Sequence, residues 1–425
     1  MPHRTRISTL VLLFVGALSC ITCQSERTKV LDKEGTESTQ QADIKVGAKV
    51  LIQEHLDELD GRNIGLVMNP TARVDGVHML DTLIALGLPV KALFAAEHGF
   101  RGSQGAGEII QDGLDEATGL PVFSLYGATK KPSAQMLKEI DVLLFDMQDV
   151  GARFYTYNST MKYVIEAAAE QGIEVWILDR PNPLGGDYVA GWVLEPEYNS
   201  FVGTYPIPIA HGLTLGELAQ MALGEDWYET DAKVNLRVIP MSGWQREMKW
   251  NDTQLEWVPP SPNLPTFEHA YAYIGTCFFE GTTLSEGRGT DHPFLMMGGE
   301  SSSVNDDVSL WSNHGVRLQP TQFTPVSIPG KALRPKGEGL LLNGILWENA
   351  LEHPDPLTVG LRMMQWLMEH SPEAAYKDYL YLLAGTDKID ALSRSRINLK
   401  TDSLDIDWGS NFESFREKRR NYLLY

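Results

Sequence analysis

Four segments of this chain set carboxylates, arginines and two histidines among glycines and prolines, which suits proton transfer and anion binding better than core packing. The first is Glu97-His98-Gly99-Phe100-Arg101-Gly102, the second Gln148-Asp149-Val150-Gly151-Ala152-Arg153, and the third Asp179-Arg180-Pro181-Asn182-Pro183. The fourth runs from Phe278 to Phe294 and holds Glu280, Glu286, Arg288 and His292 between glycines and hydroxyl residues, beside aromatic rings. Each has a plainer reading. Glu97-His98 fits a helix N-terminal acid beside a surface histidine, Asp149 a helix cap paired with Arg153, Asp179-Arg180 an ion pair at a rigid turn, and Gly287 with Gly289 a solvated turn.

The elements that precede these segments favour a common rim. Short apolar runs predict strands at 63–68, 89–95, 121–126, 141–147 and 173–178, and helical spacing predicts helices at 79–88, 133–140 and 159–171. A helix at 215–223 and a strand at 234–239 continue the alternation. Such an order implies an α/β fold with a mostly parallel sheet covered on both faces. Ligands of such sheets bind beyond the carboxyl ends of the strands, where the first three segments fall. The run Pro259-Pro260-Ser261-Pro262-Asn263-Leu264-Pro265 is a rigid crossing to a second domain, in which a helix at 357–369 is the clearest element.

Other templates are excluded. Gly102, Gly105 and Gly107 do not follow the first strand, which ends in Asn69-Pro70-Thr71, so neither a nicotinamide nor a flavin cofactor is expected. There is no G-x-S-x-G elbow and no H-E-x-x-H pair. A net charge of −20 argues against nucleic acid as a partner. Beyond the first residues only Cys277 remains, so stability must come from packing and not from a disulfide within the chain.

The N-terminal residues read as an export signal over 1–23, with His3, Arg4 and Arg6 before the apolar run 10–18. Ala17-Leu18-Ser19-Cys20 resembles a lipobox, with Ala17 where leucine is usual, and makes Cys20 the expected lipidated residue and sole membrane attachment; plain cleavage nearby is the alternative. The polar stretch 24–44 reads as a tether. The protein is thus expected outside the cytoplasm, periplasmic or anchored as a lipoprotein.

The segments FAAEHGFRG, DRPNPLGG, FVGTYPIPIAHGLTLGELA, PPSPNLP and FFEGTTLSEGRGTDHPF together resemble the exo-β-N-acetylmuramidase family of bacterial cell-wall recycling. The resemblance implies a Rossmann-like domain over 45–265, a smaller α+β domain over 266–425, and an active site in the cleft between them. It implies release of N-acetylmuramic acid from the non-reducing end of peptidoglycan-derived MurNAc-β-1,4-GlcNAc fragments, without a cofactor or metal. Glu97 becomes the expected catalytic acid, and His98, Arg101, Asp149, Arg153, Asn182, His211, Glu286 and Arg288 the expected cleft lining.

Glycoside cleavage needs one carboxyl to protonate the leaving oxygen and a second group to attack, activate water or stabilise the oxocarbenium-like transition state. Glu286, Glu280 and Asp149 are the candidates for the second. The lactyl carboxylate of muramic acid demands a local cation, for which Arg101, Arg153 and Arg288 are candidates. Three departures from the family pattern bear on fine substrate preference: Ala96 before the glutamate, Ala210 before His211, and Ala190-Gly191-Trp192 after DRPNPLGG. The rival readings are a surface sugar-binding protein without catalysis, and a metal-dependent hydrolase built on His98, His211 and Asp149.

Overall fold

In the computed structural model, residues 43–101, 112–304 and 306–425 are described. The expected signal, Cys20, nearly all of the tether, and Gly102, Gly105 and Gly107 lie outside them.

Seven strands form the larger sheet: β1 (Ile64–Met68), β2 (Val90–Ala95), β3 (Gly113–Leu114), β4 (Pro121–Ser124), β5 (Val142–Asp146), β6 (Glu174–Leu178) and β7 (Asn235–Ile239). Their order is β3-β4-β2-β1-β5-β6-β7, and all neighbours are parallel except β3 with β4. Apart from the edge ribbon β3, this is the doubly wound Rossmann order, with its switch point between β1 and β5. Because side chains alternate along a strand, the apolar runs feed two cores. Val67, Phe94, Leu143, Phe145, Val175 and Ile177 enter one, and Leu66, Met68, Leu93, Leu144, Trp176 and Leu178 the other.

Helices α1 (Met79–Ala85), α2 (Tyr157–Glu170) and α3 (Leu215–Gly224) cover the sheet. The expected helix at 133–140 shrinks to the single turn Ala134–Leu137, capped by Ser133. α3 begins where Thr214 and Glu217 satisfy each other's backbone N–H groups as a capping box.

The C-terminal part carries its own antiparallel sheet of β8 (Met296–Gly299), β9 (Leu318–Phe323) and β10 (Leu342–Trp347), in the order β8-β10-β9. Pro320 is tolerated because β9 is an edge strand. α4 (Phe267–Thr276) and α5 (Pro356–Glu369) cross where two glycines meet. A Cβ on Gly275 would lie 2.9 Å from the Cα of Gly360 and closer still to the Pro356 carbonyl oxygen. The core on one face of the large sheet is continuous with that under α4 and α5, so both parts share one apolar interior.

Segments far apart in sequence close this interior. The Arg153 guanidinium is fully buried and donates to the carbonyls of Trp192, Ile207 and Leu383, the last in α6 (Tyr379–Ala384), at 2.7, 3.0 and 2.8 Å. Residues 419–425 return to the N-terminal part: Arg419 caps the carbonyls of Gly186 and Gly212, and the Tyr425 hydroxyl donates to Asp179 Oδ2 at 2.8 Å.

Candidate active site

β2 runs through Ala96 into Glu97, and the chain then turns sharply, with the Gly99 N–H returning to the Ala96 carbonyl at 3.1 Å. His98 and Gly99 both take left-handed backbone, with φ of 73° and 80°. For a histidine that conformation costs about 1 kcal/mol or more, the kind of strain that gathers at functional sites. The turn aims Glu97 into a cavity of about 480 Å³ between the two parts, a volume suited to a small ligand. The Thr156 hydroxyl donates to Glu97 Oε2 at 3.3 Å. The Tyr126 hydroxyl also bonds to Glu97; burial first, then that carboxylate, raise its pKa, so it stays protonated.

The opposite wall is the loop after the short turn Cys277–Gly281. Gly287 and Gly289 have φ of 79° and 80°, and a Cβ on either would strike backbone oxygens at 2.5 Å, those of Met296 and Val326. Glycine is therefore required there by conformation and by space. The Arg288 guanidinium grips Glu280 Oε1 through Nε and Nη2 at 3.1 and 2.7 Å and lies over the Phe294 ring. Burial opposes its charge, but Glu280 and Glu286 outweigh it, so the proton is held more firmly than usual.

Glu286 is 3% exposed, with the Lys336 ammonium 2.9 Å from its Oε2 and Arg288 Nε 3.6 Å from its Oε1. Two cations thus face its carboxyl group, one at each oxygen. Aromatic walls complete the site, among them Tyr155, Phe201, Tyr273 and Tyr379.

Of the residues expected from sequence, Glu97, His98, Glu280, Glu286 and Arg288 meet at this cavity. The others do not line it. Arg101 pairs with Asp115 and Asp81 at 2.5 and 3.1 Å. Arg153 is consumed by backbone carbonyls, and burial lowers its pKa to about 9, so it remains charged at neutral pH. Asn182 ties a turn through the Leu213 carbonyl and the Leu184 N–H. Asp149 accepts from the Gly151 N–H at 2.7 Å and lies 3.7 Å from His211 Nε2, both side chains buried. It does not cap α2, whose N-cap is Thr156.

Arg180 pairs with Asp146, not with Asp179. Asp179 instead accepts from Thr214, the Gly216 N–H and Tyr425. Among the described residues no three His, Cys, Asp or Glu side chains are grouped to hold a metal ion. A smaller cavity of about 280 Å³ near Thr71, Gln148 and Arg180 lies at the strand ends, with Arg180 already spent on Asp146. Sequence reasoning missed Tyr126 and Thr156 beside Glu97, and Lys331, Arg334 and Lys336 on the far rim. The Arg-Pro pair at 334–335, a rigid turn flanked by lysines, was the available signal for that rim.

A Rossmann-ordered sheet whose first strand is followed by Asn69-Pro70-Thr71, backing a cavity with carboxylates on both walls, describes a sugar hydrolase better than a dinucleotide enzyme. The chain belongs to the exo-β-N-acetylmuramidase NamZ family, whose N-terminal model matches residues 64–268 and whose C-terminal model matches 271–425. It is 38% identical over 393 residues to the peptidoglycan β-N-acetylmuramidase NamZ of Bacillus subtilis, covering 90% of this chain and 91% of that protein. Two crystal structures of DUF1343 family proteins from Bacteroides fragilis superpose with TM-scores of 0.76 and 0.73. They are 32% and 33% identical, each over 90% of this chain and 99% of the other.

Proposed function

We propose that this protein is an exo-acting glycoside hydrolase that releases N-acetylmuramic acid from the non-reducing end of peptidoglycan fragments. The observation that carries this reading is the placement of Glu97 in the cavity opposite Glu286, within a chain of this family. Glu97, flanked by the hydroxyls of Tyr126 and Thr156, serves as the acid that protonates the leaving oxygen. Glu286, paired with Lys336 and Arg288, is the second carboxyl group and supplies the negative charge that an oxocarbenium-like transition state requires. Glu280 orients Arg288. Asp149 and His211 support the loops from behind and take no direct part.

An enzyme with this role works where cell-wall fragments occur, in keeping with the export signal and the Cys20 anchor read from the sequence. Turnover of a chromogenic β-N-acetylmuramide tests the activity. Glu97→Gln should lower kcat roughly 10²- to 10⁴-fold without altering the melting curve, and activity should survive exhaustive chelation. Binding by the wild type without turnover would favour a sugar-binding protein instead.

A further inference from the structure

The substrate proposed above carries a carboxylate on its lactyl group, and the cations around the cavity can be sorted by what already occupies them. Arg288 is committed to Glu280, and its remaining Nη1 is enclosed by protein. Lys336 donates to the carbonyls of Phe279 and Leu284 and faces Glu286. Two cavity cations remain, Lys331 and Arg334, and neither has an ion-pair partner among the described residues.

Both belong to the turn 331–336, which joins β9 to β10 across the cavity mouth. The turn is fixed at each end. Ile328 and Ala332 exchange backbone hydrogen bonds at 2.8 Å, and Asn263 Nδ2 holds the Lys331 carbonyl at 2.7 Å. Pro335 packs against Gly289, and Lys336 is held on the opposite wall.

Between these anchors Arg334 takes left-handed backbone with φ of 51°, although it is neither glycine nor asparagine and precedes a proline. Both features disfavour that conformation. Its side chain is exposed at the rim beside Leu333, which is 49% exposed and also lines the cavity. A strained backbone that presents an uncommitted guanidinium to a ligand cavity has the form of a binding device.

We infer that Arg334 is the clamp for the lactyl carboxylate, with Lys331 adding charge and Leu333 offering an apolar surface to the lactyl methyl group. The inference rests on the muramidase reading and adds the origin of its selectivity. The planar guanidinium can meet a carboxylate with two parallel hydrogen bonds, which an ammonium cannot do. In an acidic protein this local cationic turn also draws an anionic sugar to the mouth of the cavity.

The test uses the full chain and two chromogenic β-N-acetylmuramides, one with the free lactyl carboxylate and one with its methyl ester. For the wild type, esterification should lower kcat/KM roughly 10- to 100-fold, mostly through KM, because the clamp grips a part of the sugar remote from the reacting bond. Arg334→Ala should lose a similar factor on the free acid and little on the ester, so that the two losses do not add. Equal losses on both forms, or a wild type indifferent to esterification, overturns the clamp. Non-additivity found with Lys331→Ala and absent with Arg334→Ala reassigns it and overturns the inference as stated. A wild type that cleaves neither form defeats the muramidase reading, and the clamp with it; turnover without coupling defeats the clamp alone.

Discussion

At the residue scale the site depends on charges that neutralise one another before any ligand arrives. Glu286 is nearly inaccessible, and the Lys336 ammonium lies close to its carboxylate. Removing one member of such a pair strands the other, which costs more than the pair itself contributes. Lys336→Met should therefore destabilise the protein by about 2–3 kcal/mol in urea unfolding. The double variant Lys336→Met/Glu286→Gln should recover the part of that loss due to the ion pair, though not the bonds of Lys336 to the Phe279 and Leu284 carbonyls, while remaining inactive. If the two single losses simply add, the pair is not coupled and Glu286 is not held in this way. Glu97, Glu280, Glu286 and Arg288 were legible in the sequence because glycines beside charged residues mark loops shaped for close approach. The cations of turn 331–336 were not, since Lys-Ala-Leu-Arg-Pro-Lys reads as an ordinary basic surface turn until the fold lays it across the cavity. Arg101 and Arg153 read as cleft residues in sequence but are spent on Asp115, Asp81 and backbone carbonyls, because a motif shows that a side chain is polar but not what satisfies it.

At the element scale the strands of the large sheet were visible as apolar runs, because a sheet buried on both faces needs no alternation. α4 was not expected: it is buried all round, so it lacks the amphipathic stripe that marks a surface helix. Its crossing with α5 depends on Gly275 and Gly360 in backbone contact. Since the obstacles to a Cβ there are backbone atoms, which cannot rotate away, the helices themselves would have to separate. Gly275→Ala should cost about 3 kcal/mol in denaturant stability, and a change below about 0.5 kcal/mol would mean that the helices separate freely. Because α4 leads into the loop that carries Glu286, the same substitution should lower kcat.

At the scale of the whole molecule two buried groups set opposite responses to acid. Burial first of all lowers the pKa of His269 to about 4, so the folded protein keeps it neutral while the unfolded chain protonates it near pH 6.5. Its contribution to stability is complete above about pH 6.5 and is lost as the pH falls through about 4, worth about 2 kcal/mol after allowance for partial screening. Asp179 runs the other way. Burial first of all raises its pKa to about 6, so its contribution is complete below the ordinary aspartate value and is lost as the pH rises through about 6. Over much of the range the two offset each other in the wild type. The stability difference between wild type and His269→Gln should therefore shrink by about 2 kcal/mol between pH 7 and pH 4; urea titrations at both values measure it, and a constant difference contradicts the assignment of His269.

The pairing of Asp179 with Tyr425 spans 246 residues, and that of Arg153 with Leu383 spans 230. A buried carboxyl at the end of a central strand thus gains one of its hydrogen-bond donors only when the far end of the chain arrives, and a buried guanidinium waits almost as long. Contacts of such long range slow folding, because the loop must close before any of them is rewarded. The last hydrogen bonds of the large sheet form only with the C-terminal part, so its protease resistance should appear together with that of residues 379–425 in pulse proteolysis during refolding.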